Sequence, residues 1–106
     1  MPNVKIVSSY KDGLDFADVV FILTPTKFHI PMALQAIKAG CHVFIEKPLS
    51  TSMDGVKELE KLADEKGMKI MVGLCFRYHQ GIKKAKQMLN EGRIGRLVSI
   101  RASVGE

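Results

Sequence analysis

A chain of 106 residues, 46% hydrophobic and 25% charged, has room for one core and the composition of an ordinary globular protein, which excludes a disordered chain. No apolar run approaches the roughly 18 residues of a membrane span, and Met1-Pro2-Asn3-Val4-Lys5 lacks a secretory apolar stretch, so the expected setting is the cytoplasm with no membrane partner. The net charge of +5 comes from lysines spread over separate segments without interleaved aromatics, which reads as solvated helix faces and no nucleic-acid partner.

Val4–Val7 is the first short strand candidate. Asp18–Thr24 (DVVFILT) is a continuous β-branched and aromatic run closed by Pro25, and a strand apolar on both faces belongs inside a parallel sheet covered by helices on each side. A helix follows, with Pro31 in its first turn, an apolar stripe of Ala33, Leu34, Ala36 and Ile37, and Gly40 as its stop. His42–Ile45 repeats the strand signal. Thr51-Ser52-Met53-Asp54 resembles a capping box for a second helix that buries Val56, Leu59, Leu62 and Ala63 and ends at Gly67. Lys69–Leu74 is the next strand. A third helix is predicted from about Gln80, burying Ile82, Ala85 and Leu89 and closing at Gly92; Leu97–Ala102 gives a weaker strand signal. The order β-α-β-α-β-α-β with glycine-punctuated connections is that of a doubly wound α/β sheet.

Cys41 and Cys75 lack disulfide-framework or metal-ligand spacing and read as buried small hydrophobes, and His29, His42 and His79 are scattered, so no metal site is expected. In an open α/β sheet, ligands sit beyond the carboxyl ends of the strands. The segments to read are therefore Thr24-Pro25-Thr26-Lys27-Phe28-His29, Glu46-Lys47-Pro48-Leu49 and Gly73-Leu74-Cys75-Phe76-Arg77-Tyr78, which should converge on one sheet edge. Read singly, Glu46-Lys47 is a solvated strand end, Thr24-Pro25 a strand stop, His29 a helix-start residue and Arg77 a surface cation. Taken together, in order and at strand ends, they read as a ligand pocket.

A strand ending in Thr24-Pro25 with His29 four residues on, a helix closing in Ala39-Gly40, a strand running into Glu46-Lys47-Pro48-Leu49, then Val72-Gly73, Arg77 and Ile94-Gly95, together resemble the glucose–fructose oxidoreductase/inositol dehydrogenase/MocA (Gfo/Idh/MocA) family from about Asp18 to Arg101. Ile30–Leu49 is similar to members found with nucleotide-sugar and sialic-acid-type pathways. The resemblance implies that Thr24-Pro25-Thr26 passes under the nicotinamide-side ribose and pyrophosphate, with His29 near the pocket wall. It implies that Glu46 bonds the nicotinamide ribose, that Lys47 reaches the nicotinamide and the substrate hydroxyl as the catalytic residue, that Pro48 follows a cis peptide, and that Arg77 lines the cofactor site. Carboxylates accept from paired ribose hydroxyls, and a desolvated ammonium can take part in proton transfer, so the chemistry suits those roles. Cys75 stands where the family often has asparagine, and His79-Gln80 where a proline commonly follows, which bears on the local turn.

The sequence contains no Gly-x-Gly-x-x-Gly turn, and the family's later Asp and His pair is absent. The expected fold is therefore a partial Rossmann-like, doubly wound parallel sheet that lacks the first βα unit and the C-terminal substrate domain. Residues 1–96 read as the back half of an NAD(P)-binding domain and residues 97–106 as the start of the substrate domain. The expected parent is an NAD- or NADP-dependent oxidoreductase, a homo-oligomer acting on a hydroxyl of a sugar, polyol or sugar nucleotide, with this chain alone inactive. The alternative is a non-catalytic, self-associating α/β module.

Overall fold

The computed structural model describes residues 4–103. The chain divides after Leu74 into two compact units. The first is built from α1 (Tyr10–Leu14), β1 (Val19–Ile22), the 3-10 turn Thr26–Phe28, α2 (His29–Lys38), β2 (His42–Ile45), α3 (Val56–Lys66) and β3 (Ile70–Val72). The second holds the 3-10 turn Cys75–Tyr78 and α4 (Gln80–Asn90).

The strands form a parallel sheet in the order β1-β2-β3, with Val20 opposite Val43 and Ile22 opposite Ile45, then Val43 opposite Ile70 and Ile45 opposite Val72. Alternation along each strand sends this set to one face, where Ile22, Val43 and Ile45 are buried under Ala33, Ala36 and Ile37 of α2 and Leu59 and Ala63 of α3. Small alanines on α2 let its backbone approach the sheet, and burying each isoleucine contributes about 1.5–3 kcal/mol. The stripes read from the sequence for α2 and α3 are thus the buried faces. Gly67 closes α3 at φ 67°, a left-handed cap whose N–H bonds the Ala63 and Asp64 carbonyls.

The opposite sheet face departs from expectation. Val19, Phe21 and Met71 are exposed, and the Phe21 and Phe44 rings stack on each other with centroids 5.2 Å apart. Within the first unit, helices cover the sheet on one face only among the described residues. Val4–Val7 and Leu97–Ala102 form no strand, because a strand needs a partner edge to take its peptide groups and neither segment has one among those residues; Val4, Ile6, Val98 and Ile100 stay exposed. The proposed capping box does not cap. Ser52 Oγ donates to Asp54 Oδ2 and accepts from the Asp54 N–H, making a local turn, and α3 starts two residues later with Gly55 as its N-cap at φ 72°.

In the second unit, α4 spans the expected residues, but Ile82 and Ala85 are exposed and Leu89 is half-buried. Ala85, Met88 and Leu89 line an open groove of about 370 Å3 with Ile94, Leu97 and Ile100. Cys41 is buried as expected. Cys75 is exposed, because it opens a surface 3-10 turn instead of lying in a strand.

Candidate cofactor site at the strand ends

The parallel sheet carries three consecutive turns at the carboxyl ends of its strands, and the backbone fixes their spacing. Glu46 N–H donates to the Ile22 carbonyl at 2.9 Å, and Gly73 N–H donates to the Ile45 carbonyl at 2.8 Å. Each turn is thus held to the strand before it in the sheet. Thr24, Pro25, Thr26, His29, Glu46, Lys47 and Pro48 all belong to this first unit, at or next to those ends. Arg77 stands exposed on the 3-10 turn of the second unit.

Glu46 is half-buried and follows the last residue of β2, the central strand. Its carboxylate lies against Gly73: a Cβ built there would sit 3.1 Å from Glu46 Oε2 and 3.2 Å from Phe44 Cζ. The glycine after β3 therefore makes space for the carboxylate at the end of β2. Gly73 is the residue whose part the sequence reading did not assign; a glycine directly after an apolar strand run was the available signal. Lys47 and Pro48 are exposed, and the bond between them is cis, the geometry that the resemblance implies. Among the described residues the ion pairs are Lys61–Glu65 and Arg93–Glu91, so neither Glu46 nor Lys47 is committed to one.

The Thr24 turn is tightened by Phe28 N–H donating to the Pro25 carbonyl at 2.9 Å, which leads the chain into α2. Thr24 Oγ1 is directed at the Met32 sulfur at 3.6 Å. His29, the first residue of α2, is buried, with Nε2 2.7 Å from the Thr24 carbonyl and Nδ1 2.9 Å from the Pro48 carbonyl. Among the described residues, no three His, Cys, Asp or Glu side chains cluster in a way that could hold a metal ion. No described helix is long and apolar enough to cross a membrane.

An open parallel α/β sheet with polar groups gathered beyond its strand ends defines a nucleotide- or cofactor-binding class of domain. Residues 2–74 match the oxidoreductase family with an NAD-binding Rossmann fold (GFO_IDH_MocA), and the chain belongs to that family. It is 35% identical over 89 residues to the dTDP-3,4-didehydro-2,6-dideoxy-alpha-D-glucose 3-reductase of Actinomadura kijaniata, covering 84% of this chain and 27% of that protein. Among solved structures, the myo-inositol 2-dehydrogenase of Lactobacillus plantarum superposes with a TM-score of 0.78 at 34% identity, covering 87% of this chain and 28% of the other. The scyllo-inositol dehydrogenase of Lactobacillus casei, with NAD(H) and scyllo-inositol bound, gives a TM-score of 0.75 at 30% identity, covering 83% and 27%. The fold is therefore Rossmann-like, and the chain spans about a quarter of the length of the curated relatives it matches.

Proposed function

We propose that this chain is the nicotinamide-side portion of an NAD(P)-dependent oxidoreductase that moves a hydride between the cofactor and a hydroxyl-bearing carbon of a sugar, polyol or sugar nucleotide. The observation that carries this reading is the Glu46 carboxylate, held half-buried at the end of the central strand in the space that Gly73 leaves open. A carboxylate so placed suits a pair of ribose hydroxyls, which it can accept together. Lys47, exposed and outside any ion pair among the described residues, is free to direct its ammonium at a substrate oxygen; in the reducing direction it would donate a proton to that oxygen as hydride reaches the carbon, and in the oxidising direction the amine so formed would take the hydroxyl proton back. Thr24, Pro25 and Thr26 form the wall beside them, and Arg77 is assigned to the same cofactor by its place in the family motif. The bound nicotinamide supplies the hydride chemistry; the chain supplies position and charge. Residues 1–96 then belong to the cofactor domain and 97–106 to the approach to a substrate domain, in a cytoplasmic homo-oligomer.

The sequence has no glycine-rich turn to cradle a pyrophosphate, so the isolated chain should bind NAD(H) or NADP(H) at about the millimolar level and turn over no substrate. Amide NMR spectra recorded with millimolar cofactor test this. Shifts confined to Thr24, Thr26, Glu46, Lys47, Gly73 and Arg77 are expected, with no hydride transfer to sugars or inositols; shifts elsewhere, or none, would remove the proposal. A second reading, a non-catalytic self-associating α/β module, is favoured by the uncovered sheet face at Val19, Phe21 and Met71.

A further inference from the structure

Beyond the last ladder bond between β1 and β2, from Glu46 N–H to the Ile22 carbonyl, the two chains separate into the Thr24–Phe28 and Glu46–Leu49 turns. Among the described residues no backbone hydrogen bond joins these turns; the imidazole of His29 is the polar link between them. Its ring is 1% exposed and meets one carbonyl from each turn, Thr24 at 2.7 Å and Pro48 at 2.9 Å. We propose that His29 is a positioning residue, a clamp that sets the separation of the Thr24-Pro25 and Glu46-Lys47 turns and acts on a ligand only through them. Resting on the functional reading above, the clamp would fix where the Glu46 carboxylate stands relative to the Thr24 wall.

The chemistry fits a clamp better than a ligand contact. Both ring nitrogens already face acceptors inside the protein, so the ring has no polar atom left to offer a cofactor. Backbone carbonyls cannot donate in return, so each contact needs an N–H on the ring: a neutral imidazole donates to one turn alone, and the clamp takes the form that carries an N–H on both nitrogens. An apolar side chain of similar volume would fill the space and lose the link. The position also matters: as the first residue of α2, whose Ala33, Ala36 and Ile37 are fully buried on the sheet, His29 hangs from a rigid helix.

The test uses this chain with the His29 ring nitrogens isotopically labelled. Expected in the ligand-free protein are ring N–H signals that exchange slowly with water and show proximity to the Thr24 and Pro48 backbones. Ring N–H protons exchanging at the rate of an exposed imidazole would overturn the proposal without any variant. In His29→Leu, hydrogen exchange at the Phe28 and Glu46 amides should accelerate by about tenfold, the equivalent of one lost hydrogen bond, beyond any change at Val43 in the sheet interior. His29→Gln, which retains an N–H donor, should recover part of that protection. Uniform acceleration across the first unit would mean that His29 is an ordinary core residue, and would equally overturn the proposal. These readouts need no cofactor. If the labelled ring behaves as expected while NAD(H) shifts no amide in the unmodified chain, the clamp stands and the functional reading falls. If cofactor shifts appear but the ring exchanges freely, the clamp alone falls.

Discussion

Glu46 and Gly73 are a matched pair: the carboxylate stands where it does because the residue beside it has no side chain. In Gly73→Ala the new methyl would meet Glu46 Oε2 at 3.1 Å and the Phe44 ring at 3.2 Å, so both must give way by a few tenths of an ångström. The expected result is a loss of about 1 kcal/mol in chemical denaturation and a weakened amide response of Glu46 and Lys47 to NAD(H), with the rest of the spectrum preserved. Tyr10 makes a different residue-scale prediction. Its hydroxyl donates to the Met32 carbonyl at 2.9 Å, and burial first, with charge on Cys41 second, pushes its pKa from 10.0 up to about 12. Because the folded value lies above the unfolded one, this contribution to stability is fully present below pH 10 and is lost as pH rises through about 12. Tyr10→Phe should be less stable than the parent at neutral pH, and the difference should shrink above pH 10, as read from urea midpoints across that range.

At the scale of elements, the entry to α3 is the most demanding junction. Gly55 takes φ 72°, and a Cβ there would lie 2.8 Å from Cγ2 of the buried Ile30. Gly55→Ala therefore combines left-handed strain with overpacking, and should cost about 2–3 kcal/mol in a urea titration while leaving helix content by circular dichroism unchanged. The same junction shows what the sequence carried and what it hid. β2 was legible residue for residue, because a short apolar run between Gly40 and Glu46-Lys47-Pro48 has no other good solution. The buried faces of α2 and α3 were legible from their periodicity. The α3 start was not, because Ser52 and Asp54 satisfy one another locally and leave the helix N-cap to Gly55. Helix α1 was overlooked, although Ser9 accepts from the Lys11 N–H and stands three residues before Asp12, a spacing that announces an N-terminus. Val4–Val7 has the pattern of a strand without a partner, and apolar pattern alone does not specify a partner. At the site, the strand-end turns were legible, because each apolar run closes in polar residues and ligands of a parallel sheet sit beyond those ends. The partners of the His29 ring, 5 and 19 residues away along the chain, follow from no local signal.

Taken as a whole, the first unit has a sheet clothed by its own helices on one face and bare of them on the other. Ile22, Val43 and Ile45 lie under helices, whereas Phe21 is 64% exposed and Val19 49% exposed, with the unpaired edge of β1 alongside among the described residues. A bare apolar face next to an unpaired strand edge favours association. The chain should sediment as a concentration-dependent mixture, and Phe21→Lys should move it toward monomer while costing about 0.5–1.5 kcal/mol of stability through loss of the stack on Phe44. A parent that sediments as a monomer at every concentration would remove the self-associating module from consideration.

Cys41 and Cys75 divide between the two units, one sealed and one open. Alkylation needs both access and a thiolate. Cys41 offers neither: it is 1% exposed, its sulfur donates to the Ala17 carbonyl at 3.0 Å, and burial first, then the charge of Asp18, raises its pKa. Cys75 will take up label at once and serve as an internal standard. The second mass increment then arrives only when the first unit opens, so the protein carries its own clock for breathing, readable by mass spectrometry without dye or tag.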